Sequence, residues 1–396
     1  MKKFFNSLIF KLIVAVAIGL LLGFMCSSPT IAIIVTIKKI LSQIILFTIP
    51  LIIIGFIAPS IARLKSNATK LLGYAVLIAY LSSVGAAAFS AIAGYTIIPH
   101  LNIVSTTDGL QKIPEVIFNL DIPPIMSVMS ALALSILVGL ATAWTKSETV
   151  EKLLEEFQNI VLSIATKVVI PIIPVFIATT FAQLAYEGSI TNHLPVFIKV
   201  IIIVLIGHFI WLAFLYLIAG AISKTNPLKV VKKYGPAYLT AVGTMSSAAT
   251  LPVALKCAKS TETLRDDITD FAIPLCANIH LCGSVLTEVF FVLTVSKILY
   301  GNLPSLGSIS LFIILLGVFA IGAPGVPGGT VMASLGLITS VLGFNEVGTA
   351  LILTIFALQD SFGTACNIVG DGAIALMLTG IAERKNFKPS STDELL

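Results

Sequence analysis

The 396-residue sequence is 57% hydrophobic and only 11% charged, with a formal net charge of +5. A soluble globular domain carries roughly 25% charged residues, so one water-soluble core is excluded and lipid must solvate much of the chain. The basic residues form short clusters between apolar runs. We therefore expect membrane lipids around the protein and no nucleic-acid partner.

Eight apolar runs with few or no charges follow one another along the chain. They cover residues 8–24, 40–61, 71–98, 122–144, 161–185, 194–222, 273–295 and 311–321. Several exceed the roughly 20 residues that a helix needs to cross a bilayer. Their period is helical or continuous, which disfavours a β-barrel. The sequence thus predicts an all-α polytopic membrane protein.

Clusters of Lys and Arg mark the segments expected on the cytoplasmic side. They lie near Lys2, Arg63, Lys146, Lys224, Lys256 and Arg384. Two runs lie between each consecutive pair of the first four clusters, so six spans alternate without conflict. We expect both termini in the cytoplasm, with the first run kept as a helix instead of being cleaved as a signal.

The segment 234–255 lies between Lys233 and Lys256, and both lysines favour the cytoplasm. The segment is long enough for one span, but a single crossing would put one of the two lysines on the wrong side. We therefore expect it to enter and leave by the same face. Its middle reads Gly-Thr-Met-Ser-Ser-Ala-Ala-Thr-Leu-Pro. Small hydroxyl residues and a proline suit a re-entrant tip, because freed backbone groups need polar partners.

The segment 306–344 raises the same difficulty, since one final helix at 347–383 already returns the chain to the cytoplasm. Residues 322–329 read Gly-Ala-Pro-Gly-Val-Pro-Gly-Gly and cannot form continuous helix. Two broken hairpins that enter from opposite faces form an inverted repeat, which favours a transporter with a midplane site. Two ordinary kinked helices are the alternative.

The last helix carries a polar stripe. Asp360, Thr364, Asn367 and Asp371 are spaced i, i+4, i+7 and i+11, which places them on one helical face. Two carboxylates are costly in lipid. With no Lys or Arg nearby in sequence, they favour a ligand ammonium group and a sodium ion, since hard cations prefer oxygen ligands. A helix packed through polar contacts without a ligand is the alternative.

The preceding helix contains Asn-Ile-His-Leu-Cys-Gly-Ser at 278–284, which suggests a local unwinding whose carbonyls bind an ion. His280 and Glu288 are candidates for carrying a proton. A hydrogen-bonded packing role is the alternative for His280. Cys276, His280 and Cys282 are zinc ligand types, but their spacing does not favour a zinc site. The five cysteines give no disulfide framework, so we expect reduced thiols.

Four motifs occur in a specific order: Ser-Ser-Ala-Ala-Thr-Leu-Pro, the 278–284 motif, the glycine-proline tip, and Asp-x-x-x-Thr-x-x-Asn-x-x-Gly-Asp. Together they resemble the dicarboxylate/amino acid:cation symporters, the glutamate transporter homologues. The run at 358–367 is similar to the bacterial serine/threonine branch. The resemblance implies eight transmembrane helices, two re-entrant hairpins, a homotrimer and an elevator motion.

The resemblance also implies a division into scaffold and transport domain. Scaffold helices 1–2 would occupy residues 1–68 and scaffold helices 4–5 residues 101–190. Transport-domain helix 3 would occupy residues 69–100, and residues 191–396 would hold helix 6, both hairpins, helix 7 and helix 8.

Roles carry over from the family position by position. Asp360 matches the acid that holds the substrate's amino group, and Asp371 matches a side-chain ligand of a sodium ion. The implied substrate contacts are Ser246, Ser247, Val326, Gly328, Asp360, Gly363, Thr364 and Asn367. The implied sodium ligands are Cys276, Asn278, His280, Gly322, Ala323, Asn367 and Asp371.

Departures from the family pattern are informative. Acidic-substrate members carry an arginine where this chain has Gly363, and the alternative arginine position is Met245 here. A second substrate carboxylate would then be unpaired, so we expect a neutral amino acid such as serine, threonine or alanine. An acidic amino acid or dicarboxylate is the alternative.

The family has a third sodium site that uses an asparagine and an aspartate. This chain has His280 and Cys282 at those positions, so we expect the site to be absent or altered. Glu288 aligns with a glutamate of proton-coupled relatives. It would carry a proton or remain a permanently neutral acid.

These expectations define a sodium-coupled, and in one reading also proton-coupled, symporter of the bacterial cytoplasmic membrane. Sodium ions are its co-transported ligands, and no organic cofactor is expected. An ion channel would need a repeated filter sequence. A hydrolase using Ser246 or Ser247 would need a positioned base. Neither pattern is present, so we do not expect an enzyme.

Overall fold

The computed structural model describes residues 8–62, 70–101, 103, 111–188, 190–323, 325 and 327–385, and every regular element in these ranges is a helix. The first helices are α1 (Leu8–Met25), α2 (Ser28–Ala62), α3 (Lys70–Ile97), α4 (Val128–Thr145), α5 (Glu148–Ile164), α6 (Ile170–Glu187) and α7 (Ile190–Ser223). The later ones are α8 (Leu228–Val231), α9 (Gly235–Thr244), α10 (Ser247–Lys259), α11 (Asp266–Ile279), α12 (Cys282–Tyr300), α13 (Leu306–Gly322), α14 (Gly329–Ser340) and α15 (Glu346–Arg384).

Within these described ranges, six helical stretches are long and apolar enough to cross a membrane, judged by length and composition. Four shorter apolar helices accompany them, and all five cysteines are free thiols. The predicted all-helical polytopic membrane protein agrees with this architecture. The count of eight spans and the re-entrant course of the two hairpins stay predictions.

Helix α2 is longer than the predicted run 40–61, because it begins at Ser28 and continues through Lys38. The Lys38 ammonium is buried and donates a hydrogen bond of 2.7 Å to Gln183 Oε1 on α6. A lysine reads as a span boundary in the sequence. Here a long-range polar partner allows the helix to continue past it.

Two more boundaries differ from the predicted runs. Helix α4 begins at Val128 and not at residue 122, because the hydroxyl of Ser127 accepts a hydrogen bond from Ser130 N–H and caps it. The predicted run 161–185 is part of a longer helical stretch in which α5 passes through a π-turn at Ala165–Val169 into α6.

Helix ends coincide with the two predicted tips. Met245 adopts the left-handed conformation (φ 54°) and terminates α9, and Ser246 then begins α10. Helix α13 ends at Gly322 and α14 begins at Gly329, as the glycine and proline content predicts. Helices α9 and α10 pack against each other, and so do α13 and α14. Both pairs therefore have hairpin form.

The centre of the molecule is formed by α12 and α15. Helix α15 packs against α7, α9, α11 and α12, and α12 also packs against α3. In the most apolar segments of the α11–α12 stretch and of α15, almost all residues are buried. Large apolar side chains on α3 and α7 instead face outward, among them Leu77, Leu81, Ile202 and Ile210. Polar residues on α15 are thus surrounded by protein.

Candidate functional site

The polar stripe of α15 lies in this buried centre. Asp360 is 3% exposed and Asp371 is fully buried, and Thr364 and Asn367 between them are buried as well. Asn345 caps the helix, because its Oδ1 accepts a hydrogen bond of 2.9 Å from Gly348 N–H. The helix then continues without proline through the stripe. The stripe therefore faces other helices of the protein.

The tips of the two hairpin-form pairs meet beside this stripe. Ser246 caps α10 by accepting a hydrogen bond of 3.2 Å from Ala249 N–H. Its hydroxyl also donates to the carbonyl of Gly325 in the second tip, at 2.6 Å. The predicted substrate contact at Ser246 is thus engaged in two protein contacts, whereas its neighbour Ser247 lines a cavity.

That cavity has a strongly polar wall. Its lining residues are Met245, Ser247, Leu281, Ser284, Gly325, Thr330, Asp360, Thr364 and Asn367. Of these, Asp360 alone is ionisable. The N–H of Gly328, just before α14, donates to Asp360 Oδ2 at 2.6 Å, and no described residue donates to Oδ1. A buried carboxylate with one vacant acceptor and no basic neighbour in the lining favours a bound cationic group.

Asn367 connects the stripe to the start of α12. Its Oδ1 accepts from Gly283 N–H at 2.7 Å and from Ser284 N–H at 3.2 Å. Its Nδ2 donates to Ser284 Oγ at 2.9 Å. These bonds satisfy backbone donors that a helix start leaves unpaired. Asn367 therefore orients Ser284 at the cavity wall, in addition to lining the cavity itself.

Asp371 forms a buried pair with His280, which lies in the break between α11 and α12. His280 Nδ1 is 2.9 Å from Asp371 Oδ1, and Nδ1 donates when Asp371 is ionised, because an ionised carboxylate can only accept. His280 Nε2 is 2.9 Å from Ser82 Oγ on α3. Asp371 Oδ2 has no partner within the described part of the chain. This orphaned carboxylate oxygen fits a hard cation such as sodium.

The other predicted cation ligands lie near the same break. The carbonyl of Cys276 accepts from His280 N–H at 2.9 Å. Asn278 is exposed, and its side chain donates to the carbonyl of Pro274 at 2.9 Å. Gly322 packs against Ile57 of α2. In the described ranges no group of three or more His, Cys, Asp or Glu side chains is arranged to hold a metal ion.

Glu288 lies on α12, fully buried and away from the stripe. It accepts a hydrogen bond from the hydroxyl of Ser334 on α14, while its Oε2 has no partner in the described part of the chain. Helix α14 is therefore joined to α12 through an acid.

Gly363 lies against the start of α12. A Cβ built at Gly363 would lie 3.3 Å from Ser284 Cα and 3.4 Å from Ser284 N and Oγ. A side chain there would be in tight contact with Ser284, which would have to shift by a few tenths of an ångström. The remaining predicted contact, Val326, lies outside the described residues.

Some residues of the site were missed by sequence reasoning. Thr330 and Ser284 line the cavity, and Leu281 contributes an apolar wall. Only the fold brings them there. Ser284 belongs to the 278–284 motif, which predicted a local unwinding of the backbone but not a role for the serine side chain. Thr330 follows a glycine-rich tip, which gives no signal for a hydroxyl at the cavity.

A protein whose described part is all helical, with several helices able to span a membrane and a buried polar cavity where the tips of two packed helix pairs meet, is an integral membrane protein of the transporter class. The chain belongs to the Sodium:dicarboxylate symporter family, whose profile matches residues 8–381. This family consists of transporters and not enzymes, as the sequence predicted.

Three curated relatives illustrate the range of the family. Excitatory amino acid transporter 2 of Mus musculus is 28% identical over 253 residues, which is 62% of this chain and 43% of that protein. Excitatory amino acid transporter 3 of Mus musculus is 33% identical over 172 residues, or 42% of this chain and 31% of that protein. Neutral amino acid transporter B(0) of Rattus norvegicus is 30% identical over 201 residues, or 50% and 35%. The matched segments thus span less than half the length of these relatives.

Proposed function

We propose that the protein is a sodium-coupled symporter for a small neutral amino acid of the serine, threonine or alanine type. The observation that carries this proposal is the charge of the cavity wall. Asp360 supplies one carboxylate for a substrate ammonium group, and no lining residue in the described part of the chain supplies a cation for a second substrate carboxylate. Burying that carboxylate unpaired is strongly unfavourable.

The packing at Gly363 supports the same selectivity. A Cβ at position 363 would lie in tight contact with Ser284, so the site is closely packed where the acidic-substrate members carry an arginine. The hydroxyls of Ser247 and Thr364 remain available for the α-carboxylate of the substrate. The cavity thus offers partners for the two groups common to all amino acids: Asp360 for the ammonium group, and Thr364 and Ser247 for the α-carboxylate.

Coupling is assigned to two buried acids. The orphaned Asp371 oxygen, with carbonyls of Cys276, His280 and Asn367, forms the first sodium site, and carbonyls of Asn278, Gly322 and Ala323 contribute to a second. Glu288, or alternatively His280, carries a proton if protons are co-transported. His280 stands where the family has a ligand of its third sodium site, so that site would be absent or altered here.

Helix packing supports an elevator arrangement. Helices α1, α2, α4, α5 and α6 pack mainly with one another, and α3, α7 and α9–α15 form a second group around the cavity. The first group would be the scaffold of a homotrimer and the second group the moving domain, with both termini on the cytoplasmic side of a bacterial inner membrane.

Substrate choice is tested with purified protein in proteoliposomes. Uptake of labelled serine under an inward sodium gradient is measured against excess unlabelled alanine, threonine or aspartate. We expect competition by alanine and threonine and none by aspartate. Stronger competition by aspartate than by alanine would reverse the selectivity that we propose.

A further inference from the structure

The cavity contains hydroxyl groups that the protein itself leaves unused. Ser247, Thr330 and Thr364 line it, and none of their side-chain oxygens has a hydrogen-bond partner among the described residues. Polar atoms that lack a partner and are sealed from solvent form a separate set, and these three oxygens are not in it. Their oxygens are therefore accessible from the cavity. With Asp360 assigned to the substrate ammonium group and Ser247 and Thr364 to its α-carboxylate, the Thr330 hydroxyl is left without an assigned partner.

Thr330 is set apart from the other two by its position. Ser247 begins α10 and Thr364 lies one turn after Asp360 on α15, so both belong to the walls assigned to the α-amino and α-carboxylate groups. Thr330 lies in the first turn of α14, two residues after Gly328. The hydrogen bond from Gly328 N–H to Asp360 fixes this turn against the cavity.

Ser284 provides a complementary group on another wall. Its oxygen accepts a hydrogen bond from Asn367 Nδ2 at 2.9 Å, so its own hydroxyl hydrogen is left to donate. The Asn367 amide holds Ser284 through two hydrogen bonds and the preceding Gly283 through a third. Thr330 and Ser284 thus offer both acceptor and donor capacity at positions not needed for the groups that all amino acids share.

A substrate hydroxyl both donates and accepts, and it is the small neutral side-chain group that this pair of residues matches. We propose that Thr330, together with Ser284, binds the side-chain hydroxyl of a β-hydroxy amino acid, and that Thr330 sets the preference for serine and threonine over alanine. This inference rests on the proposed function and narrows its substrate class. A site built to hydrogen-bond a hydroxyl discriminates against the analogue that lacks it.

The test compares three variants in proteoliposomes. Thr330→Val removes the hydroxyl at nearly constant shape, and Thr330→Ser keeps it. Thr339→Val is the matched control, because Thr339 lies on the same helix outside the cavity and its hydroxyl is bonded to the carbonyl of Gly336. For each protein, kcat/KM is measured for serine and for alanine under the same sodium gradient, and thermal stabilisation by each amino acid is measured in detergent.

The expected readout is the ratio of the two kcat/KM values. Loss of one neutral hydrogen bond lowers the serine:alanine ratio about 3- to 10-fold in Thr330→Val. Thr330→Ser and Thr339→Val keep the wild-type ratio. The thermal stabilisation by serine falls relative to that by alanine in Thr330→Val only.

Two outcomes overturn the inference while leaving the proposed function intact. One is a wild-type protein that transports serine and alanine with equal kcat/KM. The other is a Thr330→Val variant in which both substrates change by the same factor, which would mean that Thr330 contacts only water or packs the tip. A wild-type protein that transports aspartate and neither serine nor alanine overturns the proposed function itself.

Discussion

At the scale of single residues, the pair of His280 and Asp371 is the least expected feature of the site. The two side chains are fully buried, and Asp371 has no other partner in the described part of the chain. The sequence predicted Asp371 as a cation ligand and left His280 open between packing and proton transfer. The hydrogen bond to Ser82 could not be predicted, because 198 residues separate the two partners along the chain.

Removal of His280 should expose the cost of that buried carboxylate. His280→Leu is expected to lower the free energy of unfolding by about 3–5 kcal/mol, since it leaves a charge unpaired. The double variant His280→Leu/Asp371→Leu should be more stable than the single one. Thermal or chemical unfolding in sodium-free detergent measures both.

His208 is the matched control for this comparison. It is also buried, but its Nε2 lies near Gly283 O and Thr287 Oγ1, both neutral groups, at 3.0 and 2.9 Å. His208→Leu should therefore cost no more than about 1.5 kcal/mol per lost hydrogen bond. Equal losses for the two histidine variants, with no recovery in the double variant, would exclude a specific role for the Asp371 pair.

At the scale of helices, the close approach of α12 to α15 depends on glycine. A Cβ at Gly283 would lie 2.4 Å from Cys366 Cβ and 2.5 Å from the carbonyl oxygen of Gly363. One of these contacts is backbone, so it cannot yield by a side-chain rotation. The start of α12 can lie at the cavity wall only because position 283 has no side chain.

Gly283→Ala is therefore expected to destabilise the protein by about 1–3 kcal/mol through overpacking. Gly73→Ala is the control, because nothing lies within 4 Å of a Cβ built there. In a helix that change is expected to be neutral or to stabilise by up to about 1 kcal/mol. Melting temperatures of the two variants in the same detergent give the comparison, and a Gly283→Ala protein as stable as Gly73→Ala would contradict the packing described here.

Helix boundaries show what sequence can and cannot predict at this scale. The breaks at Met245 and between Gly322 and Gly329 follow from local chemistry, because hydroxyl residues, glycines and prolines are concentrated there. An isolated proline such as Pro50 or Pro252 does not end its helix. The early start of α2 does not. It depends on Gln183, which neutralises no charge but gives the Lys38 ammonium a hydrogen-bond partner that only the tertiary fold provides.

At the scale of the whole molecule, the arrangement follows from where polarity is tolerated. Helices α12 and α15 carry the buried acids Glu288, Asp360 and Asp371 and are enclosed, whereas α3 and α7 present large apolar side chains outward. Composition predicted lipid as the solvent, and the stripe predicted which helix must be shielded from it. Cavity-lining residues such as Thr330 depend on the relative placement of hairpin-form pairs, which residue patterns do not specify.

The central claim is that the cavity at the meeting of the two tips binds a neutral amino acid through Asp360. Its most direct test is calorimetric binding of serine, in sodium, to purified wild-type protein, Asp360→Asn and the control Asp121→Asn, an exposed position outside the cavity. Truncating one partner of a buried charge pair costs about 2–5 kcal/mol, so we expect Asp360→Asn to weaken serine binding at least about 30-fold. Asp121→Asn should bind as wild type, and all three should elute alike in size exclusion. Undiminished serine binding by a well-folded Asp360→Asn protein would contradict the account.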